Sequence, residues 1–549
     1  MLNLKTIQVY SSALAKNLKL NIKNVLINTN YYNKKLNSIT PDRTFYTPGR
    51  NLIAPLTKYN ISNYEIVESK IDWSYKKNFQ EFEKLHNFSW LTNLDRKNKK
   101  IIIQKIISDW LENYSNYKKL VWNLEIVSDR IIFWLSNLDI ILTDGREQFK
   151  KTLYASLIKQ SNFVFKNIQD VNSTPNKIKA CAAVILSGLV FNEISENSKK
   201  TLKELKKIIF NDFDKFGCPK TKNPEDIYRC LKYLILTREW LKESQSSIPD
   251  YLEEIIFKCG KSYKFFSNTS KTIPLFNGSS YFSCKDYDKY LKNLSYNFEK
   301  NECENTAGIL KIKSKNSVVF YNVGDPPSTK HLKNYQAGAL SFEIISGKDK
   351  IITNSGYNKK LSPKISLLSC STAAHSTLCL NETSSCIFEK SKLIRKIYGN
   401  YLRSGLKISK IDEQNTNEYF EYTFSHNGYE KKYGCKHYRT IRVFKNENKI
   451  EGLDKLEKTR KKNNNLYFAI RFYFDSGAKI SKTKGGNSLI LELPSGQGWM
   501  LKSPSHKFGS EKGLFFGNEE KIIQNECGFI AGNFDVEKKV IEWNINKIS

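Results

Sequence analysis

The chain has 549 residues, of which 40% are hydrophobic, so it is long enough for two or three domains with cores of their own. Its 30 Tyr, 32 Phe and 8 Trp residues exclude a disordered chain. The 88 basic residues against 55 acidic ones give a net charge of +33, which favours a polyanionic partner: nucleic acid, anionic lipid or acidic polysaccharide. The alternative is compositional, because lysines spread evenly over the surface of a Lys-, Asn- and Ile-rich chain need no partner.

Cysteine usage and the N-terminal sequence both indicate a reducing compartment. The 11 cysteines, an odd number scattered from Cys181 to Cys527, do not form the pattern of a disulfide framework. The first 20 residues lack the apolar core and cleavage site of a signal peptide, and no window reaches about 18 consecutive apolar residues. From these residues alone we expect a cytoplasmic protein without a transmembrane segment; they do not indicate its oligomeric state.

Basic and helical patterns dominate the first 305 residues. Residues 1–45 form a basic, mildly amphipathic segment that begins with a predicted helix ending near Val25. After Ile71, apolar and aromatic residues recur three and four positions apart, which is the spacing of buried helix faces. Asn223-Pro224 is the cap and first residue of one of the helices predicted at 101–111, 121–142, 154–167, 177–192, 198–210, 225–242 and 251–266. Such helices, joined by short polar loops, predict an array of helical hairpins.

The pattern changes near Thr306, where alternating apolar and polar residues predict β-strands. Such segments recur to the C terminus and are separated by turn sequences such as Asn427-Gly428. They predict an antiparallel β domain, most simply a two-sheet sandwich. The predicted division is a basic N-terminal segment at 1–45, a helical domain at 46–305 and a β domain at 306–549.

Three of the six histidines, His375, His426 and His437, fall within one part of the β domain. His375 begins a predicted strand, and Cys386 and Glu389 follow on the returning strand. These residue types bind zinc, so the segment is a candidate metal cluster. The alternative is that they are ordinary core or surface side chains, because no closely spaced Cys-x-x-Cys or His-x-x-x-His pair accompanies them.

Several short motifs occur in a specific order between about residue 72 and the C terminus. They are the pattern of Trp122, Ser128, Arg130 and Trp134, followed by Phe320-Tyr-Asn-Val-Gly-Asp-Pro-Pro327, Ala337-Gly-Ala-Leu-Ser-Phe-Glu343, Ala373-Ala-His-Ser-Thr-Leu378 and Gly496-Gln-Gly-Trp499. Together they resemble the heparinase II/III-like family of bacterial polysaccharide lyases, and within it an uncharacterised subgroup. The resemblance implies an incomplete (α/α) toroid followed by an antiparallel β-sandwich, with a basic cleft between the two domains.

The chemistry of that family is β-elimination at a uronic acid. It needs a group that neutralises the carboxylate, a base for the C5 proton and an acid for the leaving oxygen. By resemblance, Asn223 is the neutraliser, Tyr281 is the acid and His375 is the catalytic histidine. The substrate-binding candidates are Lys222, Asn277, Arg130 and Gln336. Two of these seven residues carry a structural alternative, Asn223 as a helix cap and Arg130 as a buried donor to loop carbonyls.

The chain also departs from the family pattern. Pro219 stands where the neutralising loop of the family has a histidine, and Gln336 replaces another histidine. Tyr473 and Asp475 stand where the subgroup has a His-Leu-His element. These losses favour an alternative in which the protein is a catalytically inactive, glycan-binding or envelope-associated relative with the same fold.

The family holds a structural zinc in its β domain, and this chain matches the ligands in part. His375 and His426 stand at two ligand positions, Cys386 lies near a third that is Asp in the family, and His437 is a candidate fourth. The resemblance therefore implies a structural zinc and no organic cofactor. The sequence does not decide whether His375 is catalytic or a metal ligand.

The resulting prediction is a polysaccharide lyase that cleaves an acidic, uronic-acid-containing glycan by β-elimination, with the inactive relative as the alternative. Its expected partner is an acidic polysaccharide. Nucleic acid is not expected, because no recognised binding motif accompanies the charge. The resemblance implies the periplasm or cell envelope, whereas the missing signal-peptide features favour the cytoplasm, and both locations stay open.

Overall fold

The structure is a computed structural model and describes residues 4–57, 71, 73, 79–94, 100–142, 146–299, 304–358, 362–460, 466–518, 521–534 and 540–549. Residue 72, where the family motifs are expected to begin, lies outside these ranges. Helices occupy the first part of the described chain and strands the second, and the change falls at Asn305–Thr306, the first strand. This is the change of pattern predicted near Thr306.

Prolines and polar caps mark the helix ends. Pro175 is the second residue of one helix, and Pro224 is the first residue of another whose cap is Asn223. The helix predicted over 121–142 is instead two helices, because the side-chain amide of Asn137 donates to the carbonyl oxygen of Phe133 (2.8 Å) and competes with the backbone ladder. The helices before the first strand are α1 Leu4–Ile27, α2 Asn30–Lys35, α3 Phe79–Asn87, α4 Lys100–Tyr114, α5 Leu124–Leu135, α6 Leu138–Ile141, α7 Glu147–Asn167, α8 Thr174–Val190, α9 Ser195–Asp212, α10 Pro224–Glu243, α11 Asp250–Phe266 and α12 Lys285–Asn293.

The strands form two large antiparallel sheets and one small one. Three short helices lie between strands: α13 Pro363–Cys370, α14 Lys392–Tyr398 and α15 Glu430–Tyr433. The strands are β1 Asn305–Thr306, β2 Ile309–Lys313, β3 Ser317–Asn322, β4 Phe342–Ser346, β5 Asp349–Thr353, β6 Leu378–Leu380, β7 Ile387–Phe388, β8 Leu402–Ser404, β9 Ile408–Asn415, β10 Tyr419–His426, β11 Cys435–Phe444, β12 Lys449–Lys458, β13 Tyr467–Phe474, β14 Lys479–Lys482, β15 Ser488–Glu492, β16 Gly498–Lys502, β17 Phe508–Phe515, β18 Ile523–Asn533 and β19 Val540–Lys547.

The two large sheets pack face to face as a sandwich. The first has the order β1-β2-β3-β4-β5-β13-β18-β17, with β6 also paired to β13, and the second has the order β14-β15-β16-β19-β12-β11-β10-β9. Phe342 and Phe472 of the first sheet meet Trp543 of the second, with ring centroids 5.1 and 5.2 Å apart. Strict in–out alternation along β11 follows from burial of only one face of that strand.

The outer face of the first sheet closes the helical domain. All six residues of β3 are buried, and Phe320 of that strand belongs to the same apolar cluster as the helices. Its ring centroid lies 6.3 Å from that of Phe266 at the end of α11. The side chains between the two domains are therefore carried by packed elements, and this packing fixes their positions.

Only the last residue of the N-terminal helix, Ile27, belongs to the core of the helical domain. Ala13 of α1 packs in a small separate cluster with Ile394 and Ile397 of α14. Where the structure describes the chain, no helix has both the length and the apolar character needed to cross a membrane. The ten cysteines in the described ranges are buried and form no disulfide.

Candidate active site

Asn223 is held by hydrogen bonds that determine which way its amide points. Its Oδ1 accepts from the backbone N–H of Glu225 (2.9 Å), the bond of a helix cap, and from the hydroxyl of Ser279 (2.6 Å). Because the oxygen accepts twice, the amide assignment is fixed, and no hydrogen bond among the described residues engages Nδ2. Asn223 is thus a cap whose NH2 group remains for a partner in the cavity that it lines.

The loop that carries Tyr281 is clamped between α10 and the β domain. Gly278 has a φ of +98°, and a Cβ there would lie 2.6 Å from the backbone oxygen of Asn334, so only glycine fits. The Ser280 hydroxyl donates to Oε2 of Glu225 (2.8 Å), and the N–H of Tyr281 donates to the carbonyl of Gly517 (2.8 Å). The backbone of the loop is therefore fixed, while the side chain of Tyr281 stays 48% exposed.

Asn223 and Tyr281 line one cavity of about 450 Å³ between the helical domain and loops of the β domain. Two of the three predicted catalytic residues are therefore close to the same space. Carboxylates outnumber cations in its lining by six to four: Glu83, Glu125, Asp129, Glu225, Asp226 and Asp286 against Lys84, Lys179, Arg229 and Lys232. This cavity is not the basic part of the cleft.

A polar cluster on the facing sides of α5, α8 and α10 forms one wall of this cavity. Lys179 makes an ion pair with Asp129 (2.7 Å), and the Tyr233 hydroxyl donates to the same carboxylate (3.2 Å). Burial lowers the pKa of Lys232 to about 8, against the opposing effect of Asp129. This cluster was not predicted from the sequence, although a charged residue within an apolar helical run, such as Lys179 in α8, is a signal for it.

A second cavity, of about 480 Å³, shares Asn223, Asp226 and Asn334 with the first. Its lining combines α1 and α14 with loops of both domains, and it includes His331, whose pKa burial lowers. Eight cationic side chains outnumber three carboxylates there: Lys16, Lys19, Lys23, Lys177, Lys330, Lys333, Arg395 and Lys396 against Asp170, Asp212 and Asp226. The positive charge next to Asn223 is therefore on this side.

His375 is buried and lines neither cavity. Its Nδ1–H donates to the carbonyl of Ser371 (2.9 Å), and its Nε2 has no hydrogen-bond partner in the described part of the chain. Burial lowers its pKa to about 4, so the ring is neutral at neutral pH. The structure thus does not bring His375 together with Asn223 and Tyr281.

Lys222 and Asn277 support the loops around Asn223. Lys222 donates from Nζ to the carbonyl of Asp325 (2.8 Å), which ties the helical domain to the β domain, and burial lowers its pKa. Asn277 donates from Nδ2 to the carbonyl of Lys222 (3.0 Å) and lines the second cavity. Of these two predicted substrate contacts, only Asn277 reaches a cavity.

Arg130 and Gln336 are also occupied by internal contacts. Arg130 is buried, donates to Gln160 (2.6 Å) and to the carbonyl of His86 (2.9 Å), and stacks on Trp110. Both ends of the Gln336 amide are used: Oε1 accepts from Gly278 N–H, and Nε2 donates to the carbonyls of Gly356 and Ser369. Neither residue lines either of the two cavities described above, which supports the structural alternative for Arg130.

Two of the four predicted zinc ligands, His426 and His437, belong to a chain of hydrogen bonds. Gly428 N–H donates to Nδ1 of His426 (3.1 Å), Nε2 of His426 lies 3.1 Å from Nδ1 of His437, and Nε2 of His437 lies 2.6 Å from Asp454. All four ring nitrogens are used, and the Cys386 thiol lies 3.9 Å from the Tyr335 hydroxyl. Within the described ranges no three His, Cys, Asp or Glu side chains are arranged to hold a metal ion, so these residues do not fit zinc in this arrangement.

Buried neutral histidines predict sensitivity to acid. The pKa of His86 is lowered to about 3 by burial and Arg130, that of His375 to about 4 by burial, and that of His426 well below its usual value. Unfolded histidine titrates near pH 6.5, so between about pH 6.5 and 4 the unfolded state binds more protons. The free energy of unfolding should fall by about 1 kcal/mol per histidine for each pH unit of acidification.

Melting temperatures at pH 7 and pH 5 test this expectation. The His375→Gln variant should lose less stability over that interval than the unsubstituted protein. Equal losses would contradict a contribution from His375.

Comparison with known structures identifies the fold. Crystal structures with a helical toroid followed by a β-sandwich match this fold: heparinase III with a TM-score of 0.67 and 12% identity over 93% of this chain and 87% of that one, and the heparan sulfate lyase HepC of Pedobacter heparinus with a TM-score of 0.59 and 13% identity over 99% and 91%. At such identities the likeness shows the fold, and it confirms the predicted toroid and sandwich.

The family follows from the sequence of the β domain. Residues 305–543 match the family model described as "Heparinase II/III-like, C-terminal". The chain therefore carries a heparinase II/III-like C-terminal domain, which confirms the resemblance predicted from the motifs. It is also 20% identical, over 436 residues, to FtsZ-localized protein C of Caulobacter vibrioides, covering 76% of this chain and 73% of that protein.

Proposed function

We propose that this protein is a polysaccharide lyase that cleaves an acidic, uronic-acid-containing glycan by β-elimination. The observation that carries the proposal is that the free NH2 group of Asn223 and the half-exposed phenol of Tyr281 belong to one cavity. The fold shared with heparinase III and a heparan sulfate lyase supports the same class of substrate.

In the proposed reaction, the NH2 group of Asn223 donates to the uronate carboxylate. This contact stabilises the charge that develops when the C5 proton leaves. The electrons of the C5–H bond form the C4–C5 double bond, the bond from C4 to the glycosidic oxygen breaks, and the phenol of Tyr281 gives that oxygen its proton. The products are a new reducing end and a 4,5-unsaturated uronate.

Lys232 is the base that we propose for the C5 proton. It lines the same cavity, and its pKa of about 8 leaves part of the amine unprotonated near neutral pH. His375, the catalytic histidine implied by the resemblance, lines neither cavity. The second, basic cavity would hold further anionic groups of the glycan, because it continues from Asn223 and carries the excess of lysines.

The test is absorbance of the unsaturated uronate after incubation with heparin, heparan sulfate, chondroitin sulfate, hyaluronan or alginate. With the substrate that reacts, Asn223→Asp should lower the rate by about 10²–10³, because aspartate keeps the cap but loses the NH2 group and repels the carboxylate. The rate should also rise between about pH 7 and 9 as Lys232 loses its proton.

Asn123 provides a matched control. It caps α5 through the same bond, Oδ1 accepting from the N–H of Glu125 (2.9 Å), and lies in neither cavity. Asn123→Asp should leave the rate unchanged. An active Asn223→Asp variant would show that Asn223 serves only as a helix cap. Salt-sensitive binding to the polymers without formation of the unsaturated product would favour the catalytically inactive alternative.

A further inference from the structure

Helix α1 is fixed to the protein along one face. Ala13 packs against Ile394 and Ile397 of α14, and Leu20 joins the same cluster. The hydroxyl of Ser12 lies 2.8 Å from that of Tyr398. The contacts hold α1 in a set orientation, so its opposite face is presented to the outside as a preformed surface.

That opposite face carries a row of large aliphatic side chains, each 52–69% exposed. Their spacing of three, four and seven residues places them on one side of a helix of 24 residues, which is about 36 Å long. We refer to this surface as the α1 stripe, and it consists of Ile7, Leu14, Leu18, Ile22, Val25 and, at its edge, Leu26. Single exposed aliphatic residues are ordinary, but six along one side of a helix, interrupted there by Ser11, indicate a binding surface.

The charge around the stripe has one sign. Residues 1–41 contain six lysines and no aspartate or glutamate. Lys16 and Lys19 are exposed on α1 itself, and Lys392 and Lys396 are exposed on the adjoining α14. Lys16 lies over the ring of Tyr398, so these lysines are on the side of α1 that faces α14 and the second cavity. A helix with one apolar side and a polar side that carries only lysines among its charged residues is the pattern of a helix that lies in a membrane interface.

We propose that the α1 stripe docks on the surface of an anionic lipid bilayer, with α1 parallel to the membrane plane. The aliphatic side chains would enter the boundary between headgroups and acyl chains, and the lysines on the other side of α1 would be attracted to the anionic surface. A second copy of the chain fits less well, because it would bring the same lysines and a net charge of +33 against its partner. A hydrophilic polyanion would bind the lysines but would leave the aliphatic side chains of the stripe exposed to water, so it fits this surface less well.

Flotation with phospholipid vesicles tests this inference and does not depend on lyase activity. The full chain should bind vesicles of phosphatidylcholine with phosphatidylglycerol and should bind those of phosphatidylcholine alone much more weakly. Leu14→Gln with Leu18→Gln should lower the affinity for the anionic vesicles roughly tenfold or more, because two side chains no longer enter the apolar layer. Both positions are exposed, so the melting temperature should not change.

Phe210 on α9 provides a matched control, because it is 82% exposed and lies outside the stripe. Phe210→Gln should bind vesicles like the unsubstituted chain. Three results would overturn the proposal: no binding to either vesicle, equal binding by the stripe variant, or a dimer in light scattering that the stripe variant converts to a monomer. The last result would assign the stripe to a second copy of the chain.

Discussion

Replacing Tyr281 by phenylalanine should reduce formation of the unsaturated product by about 10²–10⁴, because the leaving oxygen loses its proton donor. The side chain is 48% exposed, so loss of one hydroxyl should not alter stability. Affinity for the glycan should change little, since the phenol acts mainly in the transition state. Initial rates and binding isotherms for the reactive polymer measure the two effects separately.

Tyr467 is the control for this substitution. It is 42% exposed on β13 and lines neither cavity, so Tyr467→Phe should retain full activity. A Tyr281→Phe variant with an unchanged rate would remove Tyr281 from the mechanism but would leave the lyase proposal in place. Loss of binding and of rate in equal measure would assign Tyr281 to substrate binding.

The largest expected effect on stability is at Asp454, between the two sheets. This fully buried carboxylate accepts from Nε and Nη2 of Arg439 (2.8 and 2.9 Å), from Trp543 (2.9 Å) and from His437 (2.6 Å). The charge of Arg439 holds the pKa of Asp454 well below its usual value in spite of burial. Asp454→Asn should lower the free energy of unfolding by about 3–5 kcal/mol, because it leaves the guanidinium buried without its counter-charge.

Urea titration followed by near-ultraviolet circular dichroism measures this loss. Asp412→Asn is the control: Asp412 lies in β9 of the same sheet but is exposed, so its loss should cost under about 0.5 kcal/mol. Equal midpoints for the two variants would show that the buried ion pair contributes nothing net. Asp454 is linked to His426 through His437, so the same variant should also disturb the position of the His426 ring.

Much of the fold can be read from the sequence because its causes are local. Alternation along segments such as Arg439-Thr-Ile-Arg-Val-Phe444 shows which face of a strand is buried, and three- and four-residue spacing does the same for helices. A cap is equally local: Asn223 binds the N–H of a residue two positions later, so Asn-Pro alone predicts the start of α10.

The site depends on contacts between distant parts of the chain. The NH2 group of Asn223 is aimed by Ser279, 56 positions away, and no periodicity encodes that contact. His375 shows the opposite case: its motif correctly indicated the family, but burial against Gly338 and a bond to Ser371 keep it out of both cavities. Motifs record residue types in order, whereas the direction of a side chain depends on what packs around it.

The sequence by itself determined the change from helices to strands, the family of the β domain and the start of the capped helix α10. These features follow from the spacing of residues and from their near neighbours. Only the tertiary structure decided that Asn223 and Tyr281 share a cavity, that the positive charge lies in a second cavity beside it, and that His426 and His437 bind each other. These outcomes follow from long-range packing, which places residues that are remote in sequence within hydrogen-bonding distance.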